Sequence, residues 1–198
     1  MENHVLYSGG ANGADTFFGL IAKEYGIVEQ FHYRAPNDNM FSQTLLDTGI
    51  KPTFLNEGEM NECYNAIDKF FKKKHKRNHS NDLKARNYFQ ALNSDGVYAI
   101  AKLNEHKIGV ESGTNVAVLF AIQQQKPVYV YDYLLKKWFA YSFDNKKFVN
   151  YDDIPVLVQY FAGIGVRACQ YIHNSNVPYL GIDVENDVKQ QIRNLFEK

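Results

Sequence analysis

A glycine-rich segment near the start of the chain constrains its fold more than any other feature. Ser8-Gly9-Gly10-Ala11-Asn12-Gly13-Ala14-Asp15 directly follows a short apolar run at residues 5–7. Glycine allows backbone conformations that a Cβ atom would block, and a strand that feeds such a loop into a helix leaves N–H groups unpaired. Because unpaired N–H groups attract anions, the segment predicts a phosphate-binding loop. Its candidate ligand contacts are Ser8, Gly9, Gly10, Asn12, Gly13 and Asp15.

Two features of this loop leave alternatives open. A tight strand-to-helix turn would need the glycines for geometry alone, and Asp15 would either cap the helix or bind ligand hydroxyls. The spacing matches neither a dinucleotide fingerprint nor a Walker loop, because no lysine follows the last glycine. The loop therefore predicts an anion site outside these two classes.

A second small-residue turn stands after another buried strand. Glu111-Ser112-Gly113-Thr114 opens a predicted helix about a hundred residues later, although a serine or threonine N-cap alone would explain that helix start. Ligands of wound α/β sheets bind beyond the carboxyl ends of the strands, so we expect the two turns to line one cleft. Further candidates are a third turn with Gly163, Gly165 and Arg167, and the helical pair Arg86 and Asn87. Arg167 would pair with a phosphate or carboxylate, or form a surface ion pair.

The order of apolar segments predicts an α/β fold with a mostly parallel sheet flanked by helices. Strands are expected at 4–7, 27–33, 97–101 and 127–131, and helices at 14–25, 59–75, 81–93, 114–124 and 184–196. The first two strands should pair in parallel through a right-handed crossover. Residues 34–58 are expected to form a long excursion and a candidate lid, and residues 136–151 a β-hairpin around Asp144-Asn145. The whole chain, 1–198, is expected to form one domain.

Composition excludes several classes of function. Lysine plus arginine (22) equals aspartate plus glutamate (22), so the formal net charge is zero. The protein as a whole therefore has no net positive charge that would attract it to nucleic acid or an anionic membrane. Cys63 and Cys169 lack the spacing of a metal or redox site, the six histidines do not cluster, and no segment resembles a signal peptide or membrane helix. We expect a cytoplasmic protein with no metal or other cofactor.

The motifs together resemble the SLOG superfamily, which includes the DNA-uptake protein DprA and the LOG hydrolases. The likeness is greatest to small stand-alone SLOG proteins of bacteriophages and covers most of residues 5–167. It rests on the first glycine loop, Arg86-Asn87, the turn at 113–118, the strand at 126–132, Trp138, and residues 161–167. The resemblance implies a Rossmann-like sheet that holds a nucleotide or ADP-ribose derivative, often in a homo-oligomer.

Three functions follow as hypotheses from this resemblance. The leading one is a binder, such as a phage sponge in the host cytoplasm that sequesters a cyclic ADP-ribose-type immune signal. Amides of residues 9–13 and 113–114 would hold phosphates, Asp15 or Glu111 the ribose hydroxyls, and an aromatic side chain the base. The alternative is a nucleoside 5′-monophosphate phosphoribohydrolase using Glu111 and Arg86, although the glutamate pair of LOG enzymes is absent here. The third, single-stranded DNA binding, is weakened by the neutral charge.

Overall fold

The protein has an α/β, Rossmann-like architecture. The computed structural model describes residues 3–36, 38, 40–173 and 176–198. In this part of the chain, eight strands form one sheet in the order β3-β2-β1-β8-β4-β5-β6-β7. The strands are β1 Val5–Ser8, β2 Gln30–Arg34, β3 Pro52–Phe54, β4 Gly96–Ile100, β5 Val128–Asp132, β6 Lys137–Ser142, β7 Lys147–Tyr151 and β8 Tyr160–Gly165. The first six strands in this order, from β3 to β5, all pair in parallel with their neighbours. The pairings of β5 with β6 and of β6 with β7 are antiparallel.

Helices cover both faces of the sheet. The helices are α1 Ala14–Glu24, α2 Gln43–Asp47, α3 Glu57–Phe71, α4 His79–Asn93, α5 Asn115–Gln123 and α6 Ile182–Glu197. One core cluster joins the sheet to α3, α4 and α5, and a second joins it to α1 and α6. Strand β4 is buried along its whole length, as expected of a central parallel strand covered on both faces. No described helix is both long and apolar enough to cross a membrane.

The predicted elements agree with the structure over most of the chain. The parallel pairing of β1 with β2 is confirmed by the register of Leu6 with Gln30, and the hairpin at 136–151 forms β6 and β7 at one edge of the sheet. Residues 34–58 form more than an excursion, because they contain α2 and the edge strand β3, which pairs in parallel with β2. Asn37 and Asn39, which belong to the candidate lid, lie outside the described residues.

The predicted third glycine turn is wrong, because Gly163 and Gly165 lie inside strand β8. Strand β8 runs between β1 and β4 at the centre of the sheet. A Cβ atom at Gly163 would lie 2.5 Å from the ring of Phe18, and one at Gly165 would lie 2.7 Å from the Cβ of Ala14. Glycine is therefore needed at both positions so that α1 can pack closely on β8.

Candidate functional site

Residues of both glycine turns line one cavity. The loop after β1, the segment after β8, the turn before α5 and one face of α4 surround a volume of about 810 Å³. Pockets of this size accommodate drug-sized or nucleotide-sized molecules. The predicted candidates in its lining are Asn12, Asp15, Arg86, Asn87, Ser112, Gly113, Thr114, Gly165 and Arg167. This cavity at the carboxyl ends of the parallel strands is the candidate site.

The first glycine loop is held mainly by contacts within the protein. The amide of Gly13 donates to Gln170 Oε1 at 2.6 Å, and that of Ala14 donates to the Val166 carbonyl at 3.1 Å. Gly13 has a φ of 97°, and a Cβ there would lie 2.4 Å from the Val166 carbonyl oxygen, so only glycine fits. Two amides near the start of α1 are therefore already paired, which reduces the number of donors that this loop can offer a phosphate.

Asp15 bridges the first loop and strand β8. Its Oδ1 accepts a hydrogen bond from the Gly165 amide at 3.0 Å, and its Oδ2 accepts one from the Ala11 amide at 3.4 Å. The N-cap residue of α1 is Gly13, and no side chain caps this helix. Asp15 therefore does not cap the helix, which was one of the two roles predicted for it. Burial raises the pKa of Asp15, while the nearby Arg86 charge and the two amides act to lower it.

Two buried arginines converge on one carbonyl of the first loop. The Gly9 oxygen accepts a hydrogen bond from Arg86 Nη1 at 2.6 Å and another from Arg34 Nη1 at 3.0 Å. Arg86 also donates to the Tyr33 carbonyl at 3.1 Å, and Arg34 forms an ion pair with Asp38. Burial lowers the pKa of Arg86 to about 10, and the charge of Arg34 adds to that effect. Arg86 therefore remains charged at neutral pH.

The charges around the cavity favour an anion. Three guanidinium groups, those of Arg34, Arg86 and the exposed Arg167, stand close enough to interact electrostatically. The facing carboxylates are Asp15 and Asp38, so the cluster carries an excess of one positive charge when all five groups are ionised. Among the described residues, Nε of Arg34 and Nε of Arg86 are buried without a hydrogen-bond partner. Such donors are normally paired in a folded protein, with a ligand or ordered water as partner.

The second glycine turn is strained and is held by α4. Ser112 has a φ of 82°, in the left-handed region, which costs a non-glycine residue about 1–2 kcal/mol. Asn87 Nδ2 donates to the Gly113 carbonyl at 3.0 Å and so fixes the turn to α4. Within the described chain, the amides of Gly113 and Thr114 have no acceptor. Both residues belong to the lining of the cavity.

Some predicted site residues lie elsewhere. Glu111 is on the surface, with its side chain 53% exposed and 2.7 Å from Lys102 Nζ, and it is outside the described lining. Ser8, Gly9, Gly10, Gly13 and Gly163 are also outside that lining, although Gly9 supports it through its carbonyl. The one carboxylate proposed for catalysis, Glu111, is therefore not part of the described lining.

The lining also contains residues that the sequence analysis missed. Arg34 directly follows the strand predicted at 27–33 and was therefore assigned to the excursion, whereas in the structure it ends β2. Met40, Leu83, Ile172 and Val177 form apolar parts of the wall, and Gln90 lies in it too. In the described lining, the aromatic rings are those of His79 and His173, and no phenylalanine, tyrosine or tryptophan lies there to stack a base. No group of three metal-ligating side chains occurs in the described residues.

Comparisons with known proteins found a weak structural similarity. No protein-family model and no curated protein matches the chain. A crystal structure of a "Putative molybdenum carrier protein" from Syntrophus aciditrophicus is similar, with a TM-score of 0.47 and 15% sequence identity. The match covers 97% of this chain and 91% of that one. The description of the site therefore depends on the chain's own geometry.

Proposed function

We propose that the cavity binds a phosphorylated, nucleotide-like small molecule. The observation that carries this proposal is the convergence of Arg34, Arg86 and Arg167 on a cavity that also has apolar walls. The carboxyl groups of the cavity compensate the buried positive charge of the arginines only in part, which favours an anionic ligand. The apolar surface of the walls favours contact with a base ring or a ribose. A nucleotide combines both properties in one molecule.

The phosphate is assigned to the exposed rim of the cavity. Arg167 is exposed there, so its guanidinium is free to form a bidentate pair with phosphate oxygens. The unpaired amides of Gly113 and Thr114 provide further donors from the second turn. Arg86 and Arg34 are tied to the Gly9 carbonyl, so they contribute mainly through their positive field.

The finer proposal concerns the ligand and the outcome of binding. The resemblance to SLOG proteins favours an ADP-ribose derivative, including a cyclic ADP-ribose-type immune signal captured by a phage-encoded sponge. Sequestration is favoured over hydrolysis because Glu111 pairs with Lys102 outside the described lining. We further propose that residues 1–198 act as one domain in the cytoplasm, as a homo-oligomer that light scattering would detect.

Calorimetry with the purified protein tests binding directly. ADP-ribose, cyclic ADP-ribose isomers and AMP are titrated, with inorganic phosphate as the minimal anion. Binding at a hundredfold excess over Kd would stabilise the folded state by about 2.7 kcal/mol and raise the melting temperature. The loaded protein is then heated, and the supernatant is analysed by chromatography. Intact ligand supports sequestration, whereas free base with ribose phosphate establishes hydrolysis.

A matched pair of arginine variants assigns the site. Arg167→Gln should weaken binding of the phosphorylated ligand by about tenfold, because a charge-assisted contact is lost, while the melting temperature of the free protein stays the same. Arg193→Gln is the control, since Arg193 lies on α6 in a surface ion pair with Glu24. Equal affinity of both variants and the unsubstituted protein would refute the assigned phosphate position. No binding of any of these anions would refute the proposed function.

A further inference from the structure

One face of helix α4 forms a side of the cavity. His79, Leu83, Arg86, Asn87 and Gln90 all belong to the lining, and their spacing of three, four, seven and eight residues places them on one helical face. His79 is exposed, whereas Arg86 is 5% exposed and Gln90 is 1% exposed. These five residues therefore form a stripe along α4 that runs from solvent into the interior, and Gln90 is the innermost residue of the stripe.

The side-chain amide of Gln90 has no partner in the described part of the protein. Both Nε2 and Oε1 are buried, and neither makes a hydrogen bond there, so a ligand reaches them only when the Gln90 side chain turns toward the cavity that this residue lines. A primary amide has two donor hydrogens and one acceptor oxygen, and burying all of them unpaired is unfavourable. Its neighbours in sequence, Phe89 and Ala91, are buried apolar residues of the core. An apolar residue at position 90 would avoid this penalty, so the buried amide calls for a functional explanation.

We propose that Gln90 reads the base of the bound ligand and that this base is adenine. The inference rests on the proposed function, because it assumes that a nucleotide-like molecule occupies the cavity. A glutamine amide pairs in bidentate fashion with the exocyclic amine of adenine and the ring nitrogen beside it. A fully ionised phosphate would pair with Nε2 alone, because it has no hydrogen to donate to Oε1.

Burial separates the two ends of the proposed site, because Gln90 is 1% exposed and Arg167 is exposed. Gln90 lies four residues beyond Arg86, which corresponds to about 6 Å along the helix axis. The apolar side chain of Leu83 and the buried Ile164 belong to the same lining and provide surface for a planar ring. The ligand thus lies with its phosphate at Arg167 near solvent and its adenine edge at the inner end of the stripe.

Gln90→Met separates a role in ligand recognition from a structural role. Methionine keeps the length of the side chain and removes both hydrogen-bonding groups. Because the amide has no protein partner, the free variant should melt at the same temperature as the unsubstituted protein or higher. Its affinity for AMP should fall about tenfold or more, and its affinity for ribose 5-phosphate should not change. Gln123→Met, at an exposed position on α5, is the matched control.

A second ligand tests the same contact by a change in the ligand instead of a change in the protein. Purine riboside 5′-monophosphate lacks the exocyclic amine, so it should bind the unsubstituted protein several-fold more weakly than AMP. Gln90→Met should bind the two nucleotides about equally. Calorimetry with AMP, this analogue and ribose 5-phosphate measures all three affinities.

The possible results distinguish this inference from the proposed function. If ribose 5-phosphate and AMP bind equally well to the unsubstituted protein and to Gln90→Met, the phosphate site stands and the adenine assignment is overturned. If Gln90→Met melts at a lower temperature and binds AMP normally, Gln90 has a structural role, such as holding an ordered water. If the unsubstituted protein binds neither these phosphates nor ADP-ribose and its cyclic isomers, the proposed function fails and the inference fails with it.

Discussion

Asp15 and Arg86 approach each other across the Cα atom of Gly9. A Cβ atom at position 9 would lie 2.6 Å from Asp15 Oδ2 and 2.8 Å from Arg86 Nη2. The carboxylate is held by the amides of Ala11 and Gly165, and the guanidinium by the carbonyls of Gly9 and Tyr33. Because both groups are fixed and buried, neither can withdraw easily. The absence of a side chain at Gly9 therefore allows the carboxyl group and the guanidinium group to lie on either side of this residue in the lining of the cavity.

Gly9→Ala should destabilise the protein by about 1–3 kcal/mol, because the added methyl group overpacks this region and separates Asp15 from Arg86. It should also weaken ligand binding, since Arg86 would lose its position against the Gly9 carbonyl. Urea unfolding followed by circular dichroism measures the free energy of unfolding, and calorimetry with ADP-ribose measures the affinity.

Gly113→Ala is the matched control in the second turn. A Cβ atom there meets no heavy atom within 4 Å, so the free energy of unfolding should change by less than about 0.5 kcal/mol. Equal stability of Gly9→Ala and Gly113→Ala would show that Asp15 and Arg86 can rearrange at little cost, contrary to the network described here.

Lys126 should stabilise the end of helix α4. Its Nζ donates to the carbonyls of Ala91, Leu92 and Ser94 at 2.7, 2.8 and 2.6 Å. Ala91 and Leu92 belong to the last turn of α4 and Ser94 is its C-cap residue. Carbonyl groups at this end of a helix lack intrahelical partners, and a positive charge is favourable there. Lys126→Met should lower the free energy of unfolding by about 1–3 kcal/mol in the same urea assay. Lys137→Met, at an exposed strand end, is the control and should have little effect.

The sequence predicted the local features of the fold well. The glycine loop after β1, the turn before α5 and the hairpin around Asp144-Asn145 are determined by neighbouring residues, and each lies where it was expected. Their signals are local because turns need particular backbone conformations and buried strands need continuous apolar runs. The expectation that the two distant glycine turns share one cleft came from the general rule that ligands of such sheets bind beyond the carboxyl ends of the parallel strands.

Long-range features could not be predicted in the same way. Strand β8 enters the sheet between β1 and β4 from the last third of the chain, and no local pattern specifies its neighbours. Its glycines were therefore interpreted as a turn, although they serve the packing of α1. Gln90 and Arg34 were missed because a polar residue on a helix or strand reveals its burial only when its tertiary partners are known.

Glu111→Gln should leave both stability and ligand binding unchanged. The Glu111 side chain is exposed, and surface ion pairs such as the one with Lys102 contribute about 0–1 kcal/mol. Thermal unfolding with and without ADP-ribose measures both quantities in one experiment. A loss of ligand-induced stabilisation in Glu111→Gln would show that this carboxylate contributes to ligand binding, and it would support the hydrolase hypothesis.

His32 should make the protein less stable in mild acid. The ring is buried, Nε2 lies 2.9 Å from Gln30 Oε1, and burial followed by the charge of Arg86 lowers the pKa of His32 from 6.5 to about 4. Because Gln30 Nε2 already donates to the carbonyls of Gly19 and Ile27, its Oε1 is the acceptor, and the neutral His32 ring carries its proton on Nε2.

The sign of the effect follows from this lowered pKa of His32. Between about pH 6.5 and pH 4 the unfolded chain binds a proton at His32 that the folded protein does not, so stability decreases as the pH falls through this range. The loss reaches about 2 kcal/mol at pH 5 relative to pH 7.5. Urea unfolding of the unsubstituted protein and His32→Asn at both pH values isolates this contribution, because the remaining titratable groups are shared. His32→Asn should lose about 2 kcal/mol less than the unsubstituted protein over this interval, whereas equal losses would mean that His32 titrates normally in the folded state.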